Sequence, residues 1–108
     1  MLNKFVRLRY DNKSNSDRII LFVSDTGLEI LALSFRWNLD GTFKMAPKFF
    51  KQVVTIRALH KNKYFVCAYM LLPKKDQLTY ETVFGKLKEI LLKEKGKINL
   101  KVSFFKLV

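Results

Sequence analysis

Apolar and polar positions alternate along several short segments of this chain, as they do in a β-strand with one buried face. Trp37 and Leu39 fall on one face of such a segment, and Asn38 and Asp40 fall on the other. A later segment, YFVCAYMLL, is apolar at every position, which predicts a central strand covered on both faces. The predicted strands of this part of the chain are 36–44, 50–60, 64–72 and 98–105.

One segment follows the spacing of an amphipathic helix, which we predict over residues 79–95. Thr79 is the expected N-cap, Glu81 suits the positive first turn, and Gly96 is a good stop. Gly85 costs the helix roughly 1 kcal/mol relative to Ala, and close approach to a strand is the expected reason. A single apolar stripe predicts a helix packed on a sheet. Its members are Tyr80, Val83, Phe84, Leu87, Ile90 and Leu91.

The N-terminal third carries weaker signals. It predicts a weak strand over 4–10, a polar loop over 11–17 and a short apolar strand over 18–23. Thr26 and Glu29 are three residues apart and fit a capping box, which predicts a short helix after that strand. These elements form a lead-in to the strand that contains Asp40.

Together the elements predict an α/β fold with one domain. From residue 36 the order is strand, strand, strand, helix, strand. Short connections predict a three-stranded antiparallel meander, and a crossover helix predicts a last strand that rejoins in parallel. The fold is therefore a mixed sheet with a short N-terminal strand-helix lead-in. We assign residues 1–17 to a basic N-terminal segment and polar loop, and residues 18–108 to the domain.

Composition adds a strong positive charge. Lys and Arg number 21 against 9 Asp and Glu, a net charge of +12, which favours a polyanionic partner such as DNA; the alternative is that these charges only keep the protein soluble. Cys67 is the only cysteine, so an internal disulfide is excluded and a reducing nuclear or cytoplasmic location is expected. No apolar run approaches the ~20 residues that span a bilayer, so no membrane partner is expected.

Asp40 is the residue that calls for an explanation, because a carboxylate lies inside a predicted strand in the stretch FRWNLDGTFKMAP. The simple explanation is a strand-end cap or a turn residue. Gly41 beside it allows close backbone approach, as at sites where a ligand comes near a strand.

A resemblance suggests a different role for Asp40. The runs WNLDGTFKMAPKFFKQVVTIRAL and YFVCAYMLLPKKDQLTYETVFGKLK, with the upstream RIILFVSDTGLEILALS, resemble the transposase domain of Mutator-like elements, the MULE family. They cover about residues 18 to 92. MULE transposases are similar to RNase H-like polynucleotidyl transferases. The resemblance thus implies a partial RNase H-like fold related to DNA transposition.

In that family the first strand carries the first of three catalytic carboxylates, within a D-G-T-F pattern that Asp40 matches. The resemblance therefore implies a catalytic and metal-binding role for Asp40, with Mg²⁺ as the cofactor. Phosphodiester cleavage and strand transfer use two metal ions roughly 4 Å apart, held by carboxylates.

The chain departs from the family at the second carboxylate. The aligned position is Ser103, or Phe104 if the register shifts by one, and neither residue is acidic. The third carboxylate belongs to a later helix that the sequence does not contain. The zinc-binding module that often precedes such domains is also missing. We therefore expect an incomplete site that binds Mg²⁺ weakly and does not catalyse cleavage by itself.

Two classes of function remain open. One is the family reaction, with the missing carboxylates encoded in a longer transcript. The other is a non-catalytic nucleic-acid-binding or protein-interaction module derived from a transposase. For the second class, the expected DNA contacts are Lys44, Lys48 and Lys51, with aromatic residues between them that either stack on bases or pack in the core. Uncovered apolar residues of strand 98–105 also predict self-association through that strand.

Overall fold

Residues 6–42, 46 and 50–107 are described in the computed structural model, and they form six strands and two helices. The strands and helices are β1 (Val6–Asp11), β2 (Ile20–Ser24), α1 (Asp25–Leu33), β3 (Arg36–Thr42), β4 (Gln52–His60), β5 (Lys63–Leu72), α2 (Gln77–Lys95) and β6 (Val102–Leu107). The predicted α/β class is confirmed.

The strands form one sheet in the order β1-β2-β5-β4-β3-β6. Antiparallel pairing joins β1 to β2, β2 to β5, β5 to β4 and β4 to β3. β6 follows α2 and lies beside β3 in parallel pairing, with Arg36 opposite Val102. β1 pairs with β2, so the sheet extends into the segment that precedes residue 18.

The two helices pack on the same face of the sheet. Alternate residues of β3 and β4 are buried there, among them Trp37, Leu39, Val54 and Ile56. The apolar stripe of α2 supplies three fully buried side chains, Val83, Leu87 and Leu91, and the predicted packing of this helix on the sheet is confirmed. Both described helices lie on this side, so the other side is a helix-free face.

Two predicted helix caps are wrong by a few residues. Ser24, not Thr26, caps α1, because its Oγ accepts a hydrogen bond of 2.8 Å from the backbone N–H of Gly27. Asp76, not Thr79, caps α2, because its Oδ1 accepts one of 2.8 Å from the N–H of Thr79. In both helices the capping residue has an extended backbone and directly precedes the first helical residue. It accepts from the N–H three positions later.

The expected reason for Gly85 is also wrong. A Cβ built on Gly85 meets nothing within 4 Å, so no strand approaches the helix there. The close approach occurs at Gly27, whose Cβ would collide with the backbone carbonyl of Cys67 on β5. Gly96 ends α2 in the left-handed conformation (φ 72°), as predicted for a stop.

β5 has a neighbouring strand at both of its edges along only part of its length. β2 pairs with β5 between Ala68 and Leu71, so the hairpin formed by β4 and β5 extends beyond the end of β2. Tyr64, Phe65 and Val66 lie in that extension and are 39–44% exposed. Along the rest of β5, the residues on the helix-free face are only half-buried, so the prediction of a strand covered on both faces is wrong.

The last predicted strand begins later than expected. Residues 98–101 form a connecting segment, and β6 starts at Val102. The segment is held against the end of α1 by hydrogen bonds from Asn99 N to Ala32 O (3.2 Å) and from Lys101 N to Phe35 O (2.7 Å). Both acceptors precede β3, since Ala32 is in the last turn of α1 and Phe35 lies between α1 and β3. The segment is therefore hydrogen-bonded to the α1–β3 connection and not to a strand.

In the described part of the chain, neither helix combines the length and the apolar character needed to cross a bilayer.

Candidate functional site

Asp40 lies on β3, between β4 and β6. Its neighbours Leu39 and Gly41 are buried on the helix side, so its carboxylate belongs to the helix-free face. Arg57 on β4 donates a hydrogen bond from Nη1 to Oδ2 of Asp40 across 2.7 Å. The side chain of Asp40 is 36% exposed, and that of Arg57 is 38% exposed. Asp40 is therefore accessible, and an arginine already neutralises it.

The face around Asp40 is apolar on one side. In the sheet register Asp40 is opposite Thr55, Thr55 is opposite Tyr69, and Tyr69 is opposite Phe22. The row ends on β1 at Leu8, which is 56% exposed. Asp40 thus lies in a row of residues that becomes aromatic and aliphatic toward β1.

The two candidates for the second carboxylate position do not join Asp40. In the pairing of β3 with β6, Ser103 is opposite Trp37 and Phe104 is opposite Asn38. Ser103 lines a groove on the helix side with Trp37, whereas Asp40 is on the other side. The residue in register with Asp40 is Lys106.

The residues around Asp40 do not fit a two-Mg²⁺ site. Two-metal catalysis needs several carboxylates converging on a pair of cations. Within the described ranges, no three His, Cys, Asp or Glu side chains come together so that they could hold a metal. Asp40 instead faces the guanidinium of Arg57, so we assign no step to Mg²⁺.

The predicted DNA-contacting lysines are only partly described. Lys44 and Lys48 lie outside the described residues, as do Phe43 and Phe49. Lys51 is exposed, and its backbone N–H bonds to Leu72 O at 2.8 Å just before β4 begins. Phe50 beside it is half-buried and lines a shallow pocket with Lys51, Lys74 and Lys75. An exposed cation beside an aromatic ring is therefore present at this end of the sheet.

A groove that the sequence did not indicate lies between α2 and the strands β3 and β6. Its volume is about 740 Å³, and its walls include the buried Trp37 and Leu39 and the half-buried Phe84 and Leu100. Gly85 forms part of its lining, and the absence of a side chain there keeps the groove open. Gly85, a glycine inside the predicted helix, was the one signal for this groove in the sequence. We interpreted it as a close contact between the helix and a strand.

The remaining candidates for reactive chemistry are in structural positions. Cys67 is buried, and burial raises the pKa of its thiol to about 12, so it is not a ready nucleophile at neutral pH. The ring of His60 lies edge-on to Phe65, with centroids 6.2 Å apart. Neither residue is part of the Asp40 site.

Comparison with known proteins found no family model, no curated protein and no solved structure that matches the chain.

Proposed function

We propose that the chain is a MULE-related, RNase H-like piece of a transposase core that has lost the ability to cleave DNA and acts by binding it. The ion pair between Asp40 and Arg57 carries this proposal. A carboxylate that served a dication would need further carboxylates around it, and Asp40 has a guanidinium 2.7 Å away instead. The net charge of +12 gives the chain its affinity for a polyanion.

The relation to an RNase H-like core rests on the order of the elements. Three antiparallel strands, β3 to β5, are followed by a helix and by a strand that lies parallel to β3. This order supports the arrangement that the resemblance implies. It also puts Asp40 on a strand with neighbours on both sides, which suits a former first carboxylate.

A plasmid nicking assay tests the loss of cleavage. Purified chain is incubated with supercoiled plasmid and Mg²⁺ or Mn²⁺, beside the Asp40→Ala variant. We expect no nicking from either protein. Nicking by the original chain that disappears in Asp40→Ala would show that Asp40 still works in catalysis, and the proposal would be wrong.

A binding measurement tests the retained function. Labelled duplex DNA is titrated at two salt concentrations, and we expect sequence-independent binding that weakens steeply as salt rises. Salt-independent binding, or no binding at low salt, would contradict the proposal and leave the lysines as solubilising charge.

A second candidate is the family reaction itself, DNA cleavage and strand transfer with the other carboxylates supplied by a longer transcript. The accessibility of Asp40 favours it, because a side chain 36% exposed on a helix-free face is open to additional ligands. Sequencing the native transcript separates the two candidates. Continuation into an Asp-bearing strand and a Glu-bearing helix would favour cleavage.

We also propose self-association through β6 and a nuclear or cytoplasmic location. β6 is at the edge of the sheet, and an uncovered edge strand pairs readily with another chain.

Sedimentation over a concentration series tests the self-association through β6. Ser103→Lys should reduce association, since Ser103 is exposed and a lysine on an edge strand opposes edge pairing. An unchanged association constant would exclude β6. Cell fractionation tests the location.

A further inference from the structure

The connections gather lysines at one end of the sheet, the end where β3 and β6 start. Arg36 is paired with Val102, so these two strands begin side by side. β4 ends and β5 begins at the same end, where His60 pairs with Lys63. α2 returns there as well, because only residues 96–101 separate its end from the start of β6. We call these lysines the basic end: Lys61, Lys63, Lys93, Lys95, Lys97 and Lys101.

All members of the basic end are exposed, and the structure shows none of them in an ion pair among the residues it describes. The acidic residue between Lys93 and Lys95 is Glu94, and it accepts from Arg9 at 3.4 Å. Six of the twelve other described cations are paired with carboxylates. They are Arg7, Arg9, Arg18, Arg57, Lys74 and Lys86. Six exposed lysines without an ion pair in the described part of the chain are therefore gathered at one end.

Exposed aromatic rings lie among these lysines. Phe35 is 51% exposed, and its carbonyl oxygen accepts the N–H of Lys101 at 2.7 Å. Tyr64 and Phe65 follow Lys63 and are 41% and 39% exposed. In the segment between α2 and β6, Lys97 and Lys101 are exposed, while the intervening apolar side chains are half-buried. Exposed cations and partly exposed aromatic side chains thus lie at the same end of the sheet.

We propose that the basic end binds single-stranded nucleic acid, with Lys97 and Lys101 neutralising phosphates and Phe35 stacking on a base. Lysines alone would suit any polyanion, but rings interleaved with cations are the combination that holds an unpaired strand. This inference rests on the proposed function, since it names the strand and the surface for the same nucleic-acid binding. It relocates the contacts from the predicted set around Lys51 to the opposite end of the sheet.

The test compares two double variants with equal loss of charge. Lys97→Gln/Lys101→Gln changes the basic end, and Lys13→Gln/Lys88→Gln removes two exposed lysines elsewhere. Binding of a labelled oligothymidine is measured by fluorescence anisotropy over a salt series. We expect the basic-end variant to reduce the slope of log K against log salt by about 1.4, or about 0.7 for each lost phosphate contact. The control variant should keep the slope of the original chain.

A third variant tests stacking. Phe35→Leu keeps an apolar side chain but removes the ring face, and we expect roughly tenfold weaker binding to oligothymidine with an unchanged salt slope. Duplex DNA should not lose affinity in this variant, since its bases are already stacked. Thermal denaturation of every variant confirms that the fold is intact.

The outcomes separate the inference from the function on which it rests. If the original chain binds oligothymidine and both lysine variants lose the same slope, the basic end is not the site, while nucleic-acid binding stands. If the original chain binds neither DNA form, the proposed function fails with it. Equal affinity for anionic phospholipid vesicles, lost in Lys97→Gln/Lys101→Gln, would overturn the inference in favour of a membrane surface.

Discussion

Arg57 contacts Asp40 diagonally across two neighbouring strands, with Nη1 of the arginine 2.7 Å from Oδ2 of the aspartate. The residue directly opposite Asp40 is Thr55, and the one directly opposite Arg57 is Asn38. Diagonal neighbours on one face of a sheet are within reach of a side chain as long as arginine. Because of this contact, the one residue of this chain that the resemblance assigns as a catalytic carboxylate is paired with a cation.

Asp40→Asn should lower the free energy of unfolding by less than about 1 kcal/mol, because both partners are more than a third exposed and water screens the pair. Urea denaturation of Asp40→Asn, Arg57→Gln and the double variant gives the coupling energy. A coupling of about 3 kcal/mol, typical of a buried pair, would contradict this description of the site.

Gly85→Ala should raise the free energy of unfolding by about 0.5–1 kcal/mol, since Ala is the better helix former and its methyl group meets nothing within 4 Å. Gly27→Ala is the matched control and should lower it by about 1–3 kcal/mol, because its methyl group would collide with the Cys67 carbonyl. Urea denaturation measures both. A destabilised Gly85→Ala variant would mean that the groove wall is more tightly packed than described.

Asp76 should make the stability of α2 depend on acid. Hydrogen bonds from the side chain and the backbone N–H of Thr79 hold the pKa of Asp76 below its ordinary value of 3.8. The charged form is thus the one that the fold favours. Its contribution is fully present above the unfolded pKa and is lost as pH falls through the lower folded pKa.

Thermal denaturation between about pH 5 and pH 2 checks this prediction. Asp76→Asn keeps the N-cap but cannot titrate, so its melting temperature should fall less steeply with acid than that of the original chain. Asp11 and Asp25 also have lowered pKa values, through Arg18 and Arg9 respectively, and they give both proteins the same background. Parallel curves would exclude Asp76 as a source of the acid dependence.

Cys67 should resist alkylation in the folded protein. Its thiol is buried, and burial raises its pKa to about 12, so little thiolate forms near pH 8. Iodoacetamide labelling followed by mass spectrometry should show slow modification in buffer and rapid modification in denaturant. Equal rates under both conditions would indicate that the first half of β5 opens readily.

Local periodicity determined much of the fold. Alternation predicted β3 and β4, a continuous apolar run predicted most of β5, and helical spacing predicted α2, because each pattern depends only on residues a few positions apart. The ends of elements were less predictable. Ser24 and Thr26 are both good caps, as are Asp76 and Thr79, and the direction of the chain before the helix selects between them.

Only the tertiary structure decided what surrounds the candidate residues. Arg57 is 17 positions from Asp40, and no local pattern pairs them; the antiparallel register of β3 and β4 does. Tyr64 lies in an apolar segment whose sequence predicts burial. It is exposed because β2 is too short to pair with that part of β5. The sequence by itself determined a basic α/β chain with one carboxylate in a strand. Among the described residues, the long-range connections determined which charges cancel and gathered six lysines without an ion pair at one end, because neutralisation depends on distance in space and not along the chain.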